Sequence, residues 1–188
     1  MDALTHAIET YVTKGAFDWS DALALEAIKL ISQSLEQAVN NGSDLESRSK
    51  MAWGQFIAGQ AFSNAGLGFV HSMAHQLGGM YDLPHGVANA VLLPHVEKFN
   101  IPSCTYKLKR VARAMGVGVL DMSDLEGANA AIEAIKKLSK SVGIPAGLKE
   151  LGQQIGQHTL QGCGVKPIYN RIYELCSNPV AITKALNK

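Results

Sequence analysis

The stretch GFVHSMAHQLGGMYDLPHG, residues 68–86, shows how this chain is organised. Apolar residues recur every three or four positions in its first half, which predicts a helix from about Phe69 to Leu77. Gly78-Gly79 is expected to end that helix, because glycine readily adopts the backbone of a helix C-terminus. Pro84 is then expected to close a short loop before a further helix.

Similar signals mark helices on both sides of this stretch. Ser43-Asp44-Leu45-Glu46 and Ser123-Asp124-Leu125-Glu126 are capping boxes, in which a Ser and a Glu three residues later satisfy free backbone N–H groups. Ser103 is predicted to cap another helix, and Asn178-Pro179 is typical of an N-cap followed by proline. Alternation typical of strands is nearly absent. The sequence therefore predicts an all-α, multi-helix domain over residues 1–188.

The composition of the 188-residue chain argues against several functional classes. Its net charge is +1 with the basic residues dispersed, which argues against a nucleic-acid surface, and only 6% of residues are aromatic. The longest apolar stretch, residues 86–96, is too short and too polar to span a bilayer. Three cysteines without CxxC spacing favour a reducing compartment, and the opening residues do not resemble a secretory signal. We therefore expect a cytoplasmic protein without nucleic-acid or membrane partners.

Two histidine-containing pairs and a further histidine have the spacing of a metal site. Asp2 and His6 stand four apart on a predicted helix, as do His71 and His75, so each pair shares a helix face. His85 follows Pro84 at the start of another helix. A divalent transition metal prefers a carboxylate and imidazole nitrogens from different elements, with one position left open for substrate. Asp2, His6, His71 and His85 are the predicted ligands, and His75 is expected to face the open position.

Other interpretations of these residues remain open. A DxxxH pair is common on helix surfaces, and the histidines could be structural, with no metal between them. The motif is not the HExxH of zinc proteases, because position 72 is Ser and the general-base Glu is missing. His95 and His158 are interpreted as ordinary surface or core histidines.

Two strings carry a resemblance to a known family: MDALTHAIE, residues 1–9, and the stretch 68–86 quoted above. They resemble the two signatures of the iron-containing (group III) alcohol dehydrogenases, most closely the lactaldehyde reductase (1,2-propanediol oxidoreductase) and butanol dehydrogenase branch. The resemblance covers roughly residues 1–151, and residues 152–188 form a divergent tail. It implies the all-α fold of the C-terminal half of these enzymes, which is similar to dehydroquinate synthase.

The resemblance also implies roles for individual residues. The metal ligands of the family fall on Asp2, His6, His71 and His85, and the histidine beside the nicotinamide and substrate falls on His75. Phe62 matches an aromatic position that lines the substrate pocket. Members usually bind Fe(II), with Zn(II) as an alternative, and use NAD(H) or NADP(H) to interconvert small alcohols and aldehydes.

The N-terminal α/β half of the family, with its glycine-rich phosphate-binding turn, has no counterpart in this sequence. The first hypothesis is therefore a fragment of an iron-dependent alcohol dehydrogenase that is inactive alone and needs that half as a partner. The alternative is a metal-binding helical module, or an inactive remnant. An exposed apolar rim at residues 66–69 and 80–83 is expected where the missing half would dock, and self-association into a homo-oligomer is expected to follow.

Overall fold

The computed structural model describes residues 1–151, and within that range the chain forms helices without strands. Residues 1–144 form one compact unit that contains the six helices named below, and the described residues 145–151 belong to a second unit. The helices are α1 (Asp2–Val12), α2 (Asp18–Asn40), α3 (Leu45–Ala65), α4 (Phe69–Tyr81), α5 (His85–Ala114) and α6 (Asp124–Ser141). The predicted all-α fold is confirmed. Within this described part, no helix is long and apolar enough to cross a membrane.

Helix α1 lies at the centre of the unit, in contact with α2, α3 and α5. Its residues Leu4, Ala7, Ile8 and Tyr11 are completely buried. The pairs α2–α3 and α5–α6 make the most extensive helix–helix packing, and α4 packs against α5. Because α1 is enclosed in this way, its buried polar side chains need hydrogen-bond partners within the protein, as Thr10 has in the Gly66 carbonyl oxygen.

Two capping predictions have different outcomes. Ser123 caps α6 as predicted: its hydroxyl accepts a hydrogen bond from the Glu126 backbone N–H, and the Glu126 carboxylate accepts one from Ser123 N. At α3 the cap is Asp44 rather than Ser43. The Asp44 side chain accepts hydrogen bonds from the backbone of residues 46 and 47, because a carboxylate placed directly before the helix reaches those N–H groups.

The prediction that Gly78-Gly79 ends α4 was wrong, since the helix continues to Tyr81. Termination occurs at Asp82, which adopts the left-handed conformation with φ 52°, and its N–H donates to the Gly78 carbonyl oxygen. Glycine can adopt the backbone of a helix end, but it can also continue a helix, so Gly78 and Gly79 do not stop α4. The helix ends where Asp82 turns the chain toward Pro84.

The helix predicted to start at Ser103 joins the preceding one as α5, with a kink. Cys104 has non-helical angles, φ −147° and ψ 31°, shortly after Pro102 within the helix. Asn178-Pro179 and His158 lie outside the described residues.

Candidate metal centre

Three helix segments converge at the N-terminal end of α1. Asp2 and His6 lie four residues apart in its first two turns, so their side chains leave the same face. His71 lies in the first turn of α4, and His85 is the first residue of α5. Residues that are distant in the sequence therefore meet at one place.

Asp2, His6 and His71 form the tightest part of this cluster. Their ligand atoms, one carboxylate oxygen and two ring nitrogens, lie within 4.8 Å of one another. The ring centroids of His6 and His71 are 4.2 Å apart. Since bonds from zinc to nitrogen or oxygen are about 2.0–2.2 Å long, two ligand atoms of one ion are separated by at most roughly 4 Å. The outer spacing of 4.8 Å is slightly larger than this limit, so the three ligand atoms would have to move closer together to bind one ion.

The ring orientations of His6 and His71 leave one nitrogen of each ring free to bind a metal. His6 Nδ1 lies 3.0 Å from the Asp2 carbonyl oxygen, which can only accept, so this nitrogen carries the proton. His71 Nε2 is buried and has no hydrogen-bond partner among the described residues. Burial, followed by the neighbouring His71 imidazole, lowers the pKa of His6. A neutral imidazole is the form that coordinates a metal.

His85 lies beside this group but does not belong to its tightest part. Its Nε2 is 3.7 Å from Asp2 Oδ1, and its ring centroid is 5.5 Å from that of His71. The Asn89 amide nitrogen lies 3.0 Å from the same Nε2 and donates to Asp2 Oδ1 at 2.7 Å. Asn89 is completely buried, so it is a fixed support for the Asp2 carboxylate.

His75 lies at the outer side of the cluster, as expected from its position one turn after His71. Its ring stacks on His85 with centroids 5.2 Å apart and an angle of 23° between the planes. It is more distant from His71, at 6.1 Å, and is solvent-exposed. His75 therefore does not take part in the three-residue group and is accessible to a molecule that approaches from solvent.

Phe62, near the end of α3, lines another side of the cluster. Its ring centroid lies 4.6 Å from that of His6, and the residue is half-buried. Phe62 thus covers the His6 imidazole with an apolar surface. A small apolar group bound near His6 would contact this ring.

Sequence reasoning missed Glu9. Its carboxylate is completely buried and lies 2.6 Å from His71 Nδ1, on the opposite side of the ring from the cluster. The available signal was its spacing, because Glu9 stands seven residues after Asp2 and therefore two turns along the same face of α1. Asn89 was missed in the same way, at one turn beyond His85.

The predicted apolar rim is partly present. Phe69 and Met80 are more than half exposed, whereas Leu83 is buried. The Leu83 part of that prediction was wrong, because the left-handed Asp82 turns the chain back and Leu83 faces inward.

The donor set fits a divalent transition metal. One carboxylate and several imidazoles are the ligands that Fe(II) and Zn(II) accept, and they come from separate helices. A buried polar atom without a hydrogen-bond partner destabilises the folded protein by about 1–3 kcal/mol unless a ligand binds it. His71 Nε2 is such an atom.

Residues 1–165 match the family model for the C-terminal part of the Fe-containing alcohol dehydrogenase family. The 1,3-propanediol dehydrogenase of Klebsiella pneumoniae is 53% identical over 152 residues, which are 81% of this chain and 39% of that protein. The lactaldehyde reductase of Escherichia coli K12 is 50% identical over 152 residues, with the same shares of the two chains.

This chain belongs to the iron-containing alcohol dehydrogenase family. A crystal structure of a 1,3-propanediol oxidoreductase, 53% identical in sequence, superposes with a TM-score of 0.80 over 81% of this chain and 40% of that one. The resemblance inferred from the two sequence strings is therefore confirmed. The chain spans about two fifths of the length of these relatives and corresponds to a part of an alcohol dehydrogenase family protein.

Proposed function

We propose that this chain is the helical, metal-binding part of an iron-dependent alcohol dehydrogenase that transfers hydride between NAD(P) and a small alcohol or aldehyde. Relatives named as 1,3-propanediol dehydrogenase and lactaldehyde reductase support a small alcohol, diol or aldehyde as the substrate class. Their greater length supports an α/β partner half, outside this sequence, as the main holder of NAD(P). Alone, the chain is then inactive as a dehydrogenase.

The proposed ligands are Asp2, His6, His71 and His85, with Fe(II) as the metal and Zn(II) as the alternative. The observation that carries the proposal is the buried, unpartnered Nε2 of His71 beside the Asp2 carboxylate and His6 imidazole. His85 would contribute from the rim, where its half-exposed side chain has Nε2 3.7 Å from Asp2 Oδ1.

When bound, a metal of this kind supplies a Lewis acid that favours the alkoxide form of the substrate alcohol. The residues of this chain position the reactants. Phe62 presents an apolar wall beside His6 that suits the carbon chain of a small alcohol. His75 is exposed and stacks on His85, which supports the proposal that it contacts the nicotinamide and passes a proton to solvent.

Metal analysis tests the proposed site directly. The full chain, loaded with Fe(II) under argon and freed of excess metal, should retain about one equivalent, as one four-ligand site requires. His71→Ala should lose most of it, whereas His95→Ala, which changes an exposed histidine on α5, should not. Equal metal content in the wild type and His71→Ala would contradict the ligand assignment.

The alternative function, a metal-binding helical module without dehydrogenase activity, predicts the same metal content. The two functions predict different results in a second experiment, in which the chain is joined to the N-terminal half of the Klebsiella pneumoniae relative. Alcohol-dependent reduction of NAD by the joined protein supports the dehydrogenase, and full metal loading without turnover supports the module.

A further inference from the structure

The carboxylate of Glu9 is enclosed between α1 and the first turn of α4. Its side chain is 1% exposed, and both of its carboxylate oxygens have polar partners. Oε1 accepts from the Val70 backbone N–H at 2.6 Å. Oε2 accepts from the His71 backbone N–H at 3.2 Å and lies 2.6 Å from His71 Nδ1.

Glu9 thus caps α4 from another helix. The first N–H groups of a helix have no partner within the helix and carry its partial positive charge, so a carboxylate there is stabilised. The N-cap residue of α4 is Gly68, which has no side chain to do this. A Cβ on Gly68 would lie 2.8 Å from Glu9 Oε1, so glycine at this position is what lets the carboxylate approach.

Two threonine hydroxyls near Glu9 also join α1 to the loop before α4. The Thr10 hydroxyl donates to the Gly66 carbonyl oxygen at 3.3 Å, and the Thr13 hydroxyl donates to that of Leu67 at 3.5 Å. Gly66 has φ 83°, the left-handed region that favours glycine. Glu9 is therefore fixed relative to the α4 backbone, and not only to the His71 ring.

The contact between Glu9 and His71 determines which nitrogen of His71 carries the proton. A carboxylate that accepts from two backbone N–H groups presents only acceptor atoms to the imidazole. His71 Nδ1 must then be the donor, and in the neutral imidazole this leaves Nε2 with a lone pair. That nitrogen is the buried, unpartnered atom at the Asp2–His6 cluster.

We infer that Glu9 is a positioning residue for the metal centre, which fixes the tautomer and ring orientation of His71 and couples them to the start of α4. The metal-binding consequence rests on the proposed function, whereas the tautomer does not. Carboxylates that orient metal-binding histidines in this way typically raise metal affinity 10- to 100-fold. A carboxylate that served only as a helix cap would not control the tautomer.

Glu9→Gln separates these roles. With the Gln oxygen at the position of Oε1 it still accepts from the Val70 N–H, and the NH₂ group takes the position of Oε2. There it faces His71 Nδ1 and makes that nitrogen an acceptor, while the His71 backbone N–H loses its acceptor. The proton moves to Nε2, where it blocks coordination. Glu36→Gln, on the exposed surface of α2, is the charge-matched control.

Gly68→Ala and Gly79→Ala form a second matched pair that changes no ligand and no charge. Both glycines are at α4, but a Cβ meets Glu9 Oε1 only at Gly68, and nothing lies within 4 Å of a Cβ at Gly79. Gly68→Ala therefore displaces the carboxylate selectively. If Glu9→Gln does not fold, this pair still tests whether the Glu9 carboxylate controls the tautomer of His71.

The measurements are ¹⁵N NMR of the histidine rings in the metal-free full chain, and Zn(II) affinity by competition with a chromogenic chelator. We expect the Nδ1–H tautomer of His71 in the wild type and a shift toward Nε2–H in Glu9→Gln and Gly68→Ala. Zn(II) affinity should fall about 10- to 100-fold in Glu9→Gln, fall in Gly68→Ala, and stay unchanged in the two controls.

An Nε2–H tautomer in the wild type would overturn the inference, as would an unchanged tautomer and affinity in the folded variants. If the wild type binds no Zn(II) or Fe(II), the proposed function fails. The NMR comparison then still decides whether Glu9 sets the tautomer of His71.

Discussion

The Asn89 side-chain amide donates a 2.7 Å hydrogen bond to the Asp2 carboxylate and joins the start of α5 to the first turn of α1. Asn89 is completely buried, whereas Asp2 is partly exposed. The amide thus holds a carboxylate that would otherwise move with the end of its helix, where fraying is greatest.

Replacing Asn89 should therefore weaken metal binding without removing a ligand. For Asn89→Ala we expect about tenfold lower Zn(II) affinity, because Asp2 loses the donor that orients it. Competition titration measures this, with Asn129→Ala on the exposed surface of α6 as the control. Equal affinity in the two variants would show that Asp2 needs no support from Asn89.

His75 separates catalysis from metal binding, because it stacks on His85 but lies outside the three-residue group. In the protein joined to an N-terminal half, His75→Asn should keep its metal content, lower kcat and change the pH dependence of turnover, since a proton relay is lost. Steady-state kinetics across pH and metal analysis test this. Loss of metal together with activity would identify His75 as a ligand, and unchanged kinetics would assign it a structural role.

Glu97 should make stability depend on pH. Burial raises its pKa to about 8, opposed by the Asn100 amide and reinforced by the charge of Glu9, whereas the ordinary value is 4.5. Between these values the folded chain binds a proton that the unfolded chain has released. The contribution of Glu97 to the free energy of unfolding is therefore complete below pH 4.5 and declines as pH rises toward 8, by up to about 1.4 kcal/mol per pH unit.

Glu97→Gln removes this decline because an amide does not titrate. Urea unfolding at several pH values between about 5 and 8 should show a flatter profile for the variant than for the wild type. Glu36→Gln, which changes an exposed residue, should retain the wild-type slope. Parallel profiles for the wild type and Glu97→Gln would mean that Glu97 does not change protonation over this interval.

Two glycines of α3 should respond oppositely to alanine. A Cβ at Gly54 would lie 2.7 Å from Ile31 Cγ1 on α2, so Gly54→Ala should destabilise the fold by about 1–3 kcal/mol through overpacking. A Cβ at Gly59 meets nothing within 4 Å, so Gly59→Ala should stabilise by about 0.5–1 kcal/mol through helix propensity. Urea midpoints measure both, and equal shifts would contradict close packing of α2 and α3.

We also expect the chain to self-associate through its exposed apolar side chains. Phe69 is 55% and Met80 64% exposed, and both lie on α4, the helix that carries His71. Light scattering should detect a dimer or larger species that Phe69→Ser combined with Met80→Ser dissociates, while Leu120→Ser outside α4 has no effect. A wild-type chain that stays monomeric at high concentration would contradict this prediction.

Much of the helical framework follows from local sequence. Capping residues such as Ser123 act within one turn of their own helix, so their effects are visible in a short segment. The spacing of His71 and His75 predicted a shared helix face for the same reason. The end of α4 was mistaken because Gly78-Gly79 tolerates several conformations, and the following turn at Asp82 determines where the helix stops.

The sequence by itself determined the all-α class, the two i,i+4 pairs and the family, because helical periodicity and a long motif are properties of neighbouring residues. Only the tertiary structure placed Glu9 against His71 and Asn89 between Asp2 and His85. The Glu9–His71 and Asn89–Asp2 contacts join residues 62 and 87 positions apart. Helical spacing can place each side chain on a helix face, but it does not specify a partner so distant in the sequence. These contacts form because packing around α1 buries polar groups, and most buried polar groups in a folded protein have a hydrogen-bond partner.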